Sequence, residues 1–168
     1  MRIFLLGYMG SGKTTTGKKL AEHLGYSYLD MDTEIEKEQG MTITQIFQTY
    51  GEDRFRSMER NMLLKLIELE NVVISTGGGV PCFGNNMELI NNSSISVYLK
   101  LTPEMLAGRL RFTGKSRPLL NDLSEDELLE FVYRQLQERE TWYQKATLIY
   151  NAMDLNVNEL AEQVSSLF

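Results

Sequence analysis

Gly7-Tyr8-Met9-Gly10-Ser11-Gly12-Lys13-Thr14 stands directly after the apolar run Ile3-Phe4-Leu5-Leu6. The octapeptide fits G-x-x-x-x-G-K-[ST], and its place between a short buried strand and a helix is the order a phosphate-binding P-loop requires. The glycines let the backbone curl so that successive N–H groups point inward at an anion, and the helix starting near Lys13 adds the positive end of its dipole. Lys13 can then reach terminal phosphates, and Thr14 offers a hydroxyl where Mg²⁺ would sit. A glycine-rich turn without a ligand has no reason to place Lys and Thr directly after its last glycine. Gly10, Ser11, Gly12, Lys13, Thr14 and Thr15 are therefore the candidate phosphate-binding residues.

Short apolar runs alternate with helical patterns along the rest of the chain, the signature of βαβ units around a parallel sheet. They predict strands near residues 2–6, 28–30, 72–76, 95–99 and 147–151. A helix from about Lys13 to Leu24 spaces Leu20 and Leu24 for one buried face and stops at Gly25. Asp32-Thr33 caps a second helix ending near Gly40. A third starts at Thr42 and stops at Gly51, and a longer one follows with Phe55, Met58, Met62, Leu66 and Leu69 at helical intervals. Thr102-Pro103-Glu104 supplies a cap with proline at the first helical position, and Ser124-Glu125-Asp126-Glu127 has the form of a capping box. Between those two starts, Phe112 to Leu123 has little periodicity and reads as a loop.

A chain of 168 residues is the size of one domain and long enough to bury roughly two thirds of its unfolded surface. With 42% apolar and 24% charged residues, it has the balance of a soluble globular protein. No apolar stretch approaches the ~20 residues of a membrane span. Met1-Arg2-Ile3 runs straight into the first strand, so no leader is expected and the expected location is the cytoplasm. A net charge of −6 argues against a nucleic-acid partner, which needs a basic surface. Cys82, the single cysteine, reads as an unreactive thiol. With no exposed apolar repeat, a monomer is the default.

The guanine-reading Asn-Lys-x-Asp tetrapeptide and an L-S-G-G-Q signature are both absent, which leaves a small kinase. Most P-loop proteins end a second strand on an aspartate that holds Mg²⁺, whereas Val72-Val73-Ile74-Ser75-Thr76 carries no acid and runs into Gly77-Gly78-Gly79. Asp30 and Asp32, just past Tyr28-Leu29, are the obvious replacements, because strand ends face the ligand side of an open α/β sheet. Arg56 and Glu59 are three apart and share a helix face. A guanidinium there, steadied by Glu59, can grip a carboxylate through two parallel hydrogen bonds. The triple glycine removes side chains where a ligand needs close contact with backbone.

In the order and spacing of these motifs, together with Arg117-Pro118-Leu119-Leu120 and Arg139 four residues before Tyr143 with Ala146 beyond, the whole chain resembles the shikimate kinases. These are small members of the nucleoside-monophosphate-kinase-like P-loop group. The resemblance implies an α/β protein with the three-layer α/β/α P-loop kinase fold, a central five-stranded parallel sheet and a lid loop. A single kinase domain would span 1–168, with substrate-binding helices about 32–62 and the lid about 112–124. It further implies ATP-dependent phosphorylation of the 3-hydroxyl of shikimate, on the way to chorismate and the aromatic amino acids, with Mg²⁺ as cofactor. Lys13, Asp32 and Arg117 take the catalytic roles. The loop residues Gly10 to Thr15 with Arg117 and Arg109 bind ATP, and Thr14 and Asp30 serve the metal. Asp32, Arg56, Gly77, Gly78, Gly79 and Arg139 bind shikimate, with Phe47 and Phe55 as walls of the ring or as ordinary core. Arg109 and Arg111 both qualify for the adenine contact. Two departures stand out: Glu140-Thr141-Trp142 occupies the place where many relatives carry proline, and Asn151-Ala152-Met153-Asp154 shows no recognisable adenine contact. The rival readings are a sibling kinase of gluconate or a nucleoside monophosphate, and a P-loop module that holds ATP without turnover. A nucleotide acceptor would call for a base pocket, and a non-catalytic module often loses the acids or the lid arginine.

Overall fold

Five strands, β1 (Arg2–Leu6), β2 (Ser27–Asp30), β3 (Val72–Ser75), β4 (Ile95–Lys100) and β5 (Leu148–Asn151), form one sheet in the order β2-β3-β1-β4-β5, every pair parallel. The computed structural model describes residues 1–113 and 120–168, so Arg117 and the centre of the lid expected at 112–124 lie outside the described residues. Among those described, the α-helices are α1 (Lys13–Leu24), α2 (Met31–Gln39), α3 (Ile43–Leu66), α4 (Asn86–Ser93), α5 (Pro103–Thr113), α6 (Glu125–Tyr143) and α7 (Val157–Ser165). None is long and apolar enough to cross a membrane.

β1 is the central strand, and it is buried on both faces, which is why its sequence is a continuous apolar run instead of an alternating one. The two-residue period returns in what each side chain touches. Ile3 and Leu5 pack with Leu20 and Ala21 of α1 and with Leu160 and Val164 of α7, while Phe4 and Leu6 pack with Met31 and Ile35 of α2 and with Ile46 and Leu63 of α3. The two clusters make the expected three-layer α/β/α arrangement, and they hold the carboxyl ends of the strands, with the loop after β1, along one rim.

Local signals set several boundaries. Thr42 and Ser124 both form complete capping boxes, with Gln45 and Glu127 respectively. Gly51, at φ 79° and ψ 177°, interrupts the helical path inside α3, so this element consists of the two helices expected on either side of it, meeting at a kink. Leu69 falls beyond the end of α3 and is exposed, not buried on its face as expected.

The cap of α2 needs a correction. The helix begins at Met31, and Asp30, not Asp32, caps it by accepting from Thr33 N at 3.1 Å. β2 ends on Asp30 itself, so the turn into the helix starts one step earlier than the Asp-Thr pair suggested. Asp32 sits in the first helical turn, where a carboxylate meets the positive end of the dipole.

Neither α4 nor α7 is among the helices the sequence predicts. α4 is rich in Asn and its Asn85 N-cap makes no side-chain bond, so propensity and capping both point away from a helix. α7 did carry a signal: Asn156 accepts from Asn158 N and Glu159 N, and Leu160, Ala161 and Val164 form its buried stripe.

Candidate active site

The P-loop closes tightly on itself. Gly7, Gly10 and Gly12 have φ of 146°, 81° and 92°, and a Cβ at Gly7 would come within 2.8 Å of Ser11 Oγ and 3.0 Å of the Leu99 carbonyl. Lys13 Nζ donates to the carbonyls of Gly7 at 2.7 Å and Tyr8 at 3.0 Å, which seats the ammonium in the bend. Ser11 Oγ and Arg56 Nε are buried without a hydrogen-bond partner among the described residues. Arg56 lines the cavity beside the loop while Ser11 lies behind its surface, and an unmet donor at such a cavity is what an anionic ligand satisfies.

Gly10, Gly12, Lys13, Thr14 and Thr15 line a cavity of about 910 Å³. Its other walls include Asp30, Asp32, Arg56, Glu59 and Arg139, so residues spread over most of the chain face one space. A second open groove, of about 880 Å³, runs between α6 and β5, but its only charged residues are Lys100 and Glu140, already paired at 3.2 Å. The cavity at the P-loop instead gathers Lys13, Asp30, Asp32, Arg56, Glu59, Arg109 and Arg139.

The triple glycine has a specific reason at each position. A Cβ on Gly77 would stand 3.0 Å from Asp32 Oδ1 and 3.1 Å from Glu59 Oε1. One on Gly78 would stand 2.8 Å from Arg139 Nη1, and one on Gly79 2.7 Å and 2.9 Å from the two terminal nitrogens of Arg56. Two carboxylates and two guanidinium groups therefore rest directly on the bare backbone after β3. Tyr143 Oη holds that backbone in place by donating to the Gly78 carbonyl at 2.5 Å. Phe47 and Phe55 lie with ring centroids 4.6 Å apart on the same cavity wall, and Phe83 stacks under Arg56 at 4.1 Å.

Arg56 Nη1 donates to Glu59 Oε2 at 2.5 Å, and Glu59 is 2% exposed. Burial pushes the Glu59 carboxyl up from 4.5 to about 7; Arg56 pulls it down and Asp32 adds to the rise. The folded chain therefore holds a proton across that interval which the unfolded chain has released. Stability from this group is fully present below about pH 4.5 and is lost as pH rises through about 7. Glu59→Gln is expected to remove that loss. Denaturant midpoints of both proteins at about pH 5 and about pH 8 will show it as a smaller fall in the variant; parallel falls would show that Glu59 is not the titrating group.

Of the two arginines before the lid, Arg109 faces the cavity, with Nη1 3.3 Å from the Gly10 carbonyl, while Arg111 turns away to pair with Glu125. Sequence reasoning missed Tyr28. Its hydroxyl donates to Ser75 Oγ at 3.0 Å and lies beside both Thr14 and Asp30, with burial raising its pKa so that it stays a donor. It missed Tyr8 as well, because the P-loop pattern leaves that position open. Cys82 lies behind the arginines with its thiol pushed up to about 11 by burial, in keeping with an unreactive role.

Thr14 and Asp30 offer a hydroxyl and a carboxylate in the cavity that Lys13 also lines. This all-oxygen donor set fits Mg²⁺, which takes one or two protein oxygens beside phosphate and water. Among the described residues no cluster of three His, Cys, Asp or Glu side chains forms a metal cage.

The family model described as shikimate kinase matches residues 9–167. The shikimate kinase of Parabacteroides distasonis is 48% identical over 151 residues, covering 90% of this chain and 87% of that protein. The crystal structure of shikimate kinase from Bacteroides thetaiotaomicron superposes with a TM-score of 0.92 at 42% identity, covering 99% of this chain and 97% of that one. Shikimate kinase from Acinetobacter baumannii, solved in complex with shikimate, superposes with a TM-score of 0.84 at 35% identity, covering 99% and 91%. A P-loop and an acid–arginine pocket sharing one cavity, matched over nearly the full length at this identity, place the chain in the shikimate kinase family.

Proposed function

We propose that this protein transfers the γ-phosphate of ATP to the 3-hydroxyl of shikimate, giving ADP and shikimate 3-phosphate on the way to chorismate and the aromatic amino acids. One observation carries the reading: the cradle around Lys13 and the pair of arginines over the glycine run open into the same cavity. A phosphate donor and a small hydroxylated acid can therefore meet within it.

Phosphoryl transfer runs through a loose transition state with charge spread on the phosphate oxygens, so positioning and charge neutralisation are the main tasks. The loop N–H groups from Gly10 to Thr15 hold the phosphates and Lys13 neutralises the γ-phosphate. Arg117, outside the described residues, is the second cation the family pattern assigns there. Arg109 covers the outer side of the loop toward the adenosine. Thr14 and Asp30 would hold Mg²⁺, which supplies further charge neutralisation on the phosphates. Arg56 and Arg139 clamp the shikimate carboxylate, and the Gly77–Gly79 backbone meets the ring. Asp32 orients the 3-hydroxyl and takes its proton. The chain works as one kinase domain over 1–168, a monomer in the cytoplasm, with no nucleic-acid or membrane partner.

ADP release with ATP and Mg²⁺ tests this when shikimate, gluconate and nucleoside monophosphates are offered in turn. Turnover that depends on shikimate is expected; turnover only with another acceptor would replace the reading. Gly79→Ala makes a second test. The three atoms nearest the added methyl all belong to the Arg56 guanidinium, at 2.7–3.1 Å, and Glu59 and Phe83 hold that group in place. The expected result is therefore a shikimate KM raised about tenfold, a moderate loss for a misplaced charged hydrogen bond, with a smaller loss of melting temperature as the Arg56–Glu59 pair shifts. A stability loss with an unchanged KM would mean the glycine serves the fold.

A further inference from the structure

We infer that Tyr8 is a positioning residue, one that couples the phosphate loop to the arginine Arg139 on α6. The inference rests on the proposed role of Arg139 in shikimate binding. Position 8 is one of the unspecified places in the P-loop pattern, and loop residues at such places ordinarily face solvent. Here it carries a tyrosine that is 1% exposed.

Both ends of its side chain touch α6, one helical turn apart. The hydroxyl donates to Gln135 Oε1, and the Arg139 guanidinium carbon stands 5.5 Å from the ring centroid. Gln135 and Arg139 are four apart and so lie on one face of the helix. The ring thus fixes the helix face and offers its negative π surface to the cation that face presents. Arg139 in turn lies over Gly78, and the Gly7 carbonyl comes within 3.6 Å of the place a Gly78 Cβ would take.

The backbone of the same residue serves the other substrate. The Tyr8 carbonyl accepts from Lys13 Nζ at 3.0 Å and from Ser11 N at 3.1 Å. One residue therefore bears on the cation meant for the γ-phosphate and on the cation meant for the acceptor's carboxylate. A change of side chain at position 8 leaves the carbonyl in place. It acts on the Arg139 end alone, which makes the two ends separable by experiment.

Tyr8→Leu removes the ring and the hydroxyl, and Tyr8→Phe keeps the ring. The expected result is a shikimate KM raised about tenfold in Tyr8→Leu, the scale of a lost cation–π contact in a desolvated site. The ATP KM stays within about twofold, and Tyr8→Phe recovers most of the loss. In an Arg139→Ala background Tyr8→Leu is expected to have no further effect on shikimate KM, the mark of a residue acting through Arg139. Equal rises in both KM values, an additive effect in the Arg139→Ala background, or a phenylalanine variant as impaired as the leucine one would overturn the inference. If Tyr8→Leu does not fold, Tyr8→Met, a flexible apolar side chain of similar reach, carries the same expectations. Wild-type protein without shikimate turnover would instead remove the proposed function, and Arg139→Ala with an unchanged shikimate KM would remove the clamp, so the three failures are distinct.

Discussion

Lys13→Ala is expected to lower kcat by about a thousandfold while changing the KM for shikimate little. The ammonium stands in the bend of the P-loop on the carbonyls of Gly7 and Tyr8, in the cavity shared with Asp32 and Arg139. From there it can follow the γ-phosphate as charge moves onto the bridging and equatorial oxygens. An interaction that strengthens as the transition state forms appears in kcat, and removal of one preorganised donor of this kind typically lowers the rate by ~10²–10³. Steady-state rates at saturating ATP and shikimate measure it. A kcat within about tenfold of the wild type would mean that the backbone N–H groups and the remaining cations carry the γ-phosphate without Lys13. The melting temperature serves as the control, because the Gly7 and Tyr8 carbonyls can turn to water once the ammonium is gone.

Much of this site could be read from the chain because its chemistry is local. The P-loop is a contiguous octapeptide, the caps at Thr42 and Ser124 each need only four residues, and β1 shows its burial on both faces as an unbroken apolar run. Arg56 and Glu59 share a helix face by spacing alone, and they are bonded. What escaped depends on distance along the chain or on a single step of register. Tyr8 meets Gln135 across 127 positions, and Tyr143 meets Gly78 across 65; no periodicity reports such a contact. The choice between Asp30 and Asp32 as the cap turned on where β2 stops, and the choice between Arg109 and Arg111 on the rotation of α5 over the loop. The triple glycine was legible as a place of close approach. That carboxylates and guanidinium groups of the protein itself occupy that approach is visible only once four separate elements meet.

Arg56→Ala is expected to raise the KM for shikimate by about a hundredfold, in line with the ~2–5 kcal/mol that follows truncation of one partner in a buried charged pair. Lysine in its place should recover only part of that, because an ammonium cannot present two parallel donors to a carboxylate. The loss has a second component inside the protein. Glu59 is 2% exposed and loses its 2.5 Å partner, so its carboxyl, already up at about 7, rises further and takes a proton at neutral pH. A stability loss should therefore accompany the binding loss, as it does when one member of a buried ion pair is removed. The two are separable in the double variant Arg56→Ala/Glu59→Gln. There the amide has no charge to bury, so the melting temperature should recover toward the wild type while the shikimate KM stays high. Recovery of both would mean that Glu59 without its partner disturbs the pocket around the substrate carboxylate and that Arg56 does not grip it directly. Recovery of neither would place the importance of Arg56 in its stacking on Phe83, 4.1 Å from the guanidinium carbon, and not in its charge.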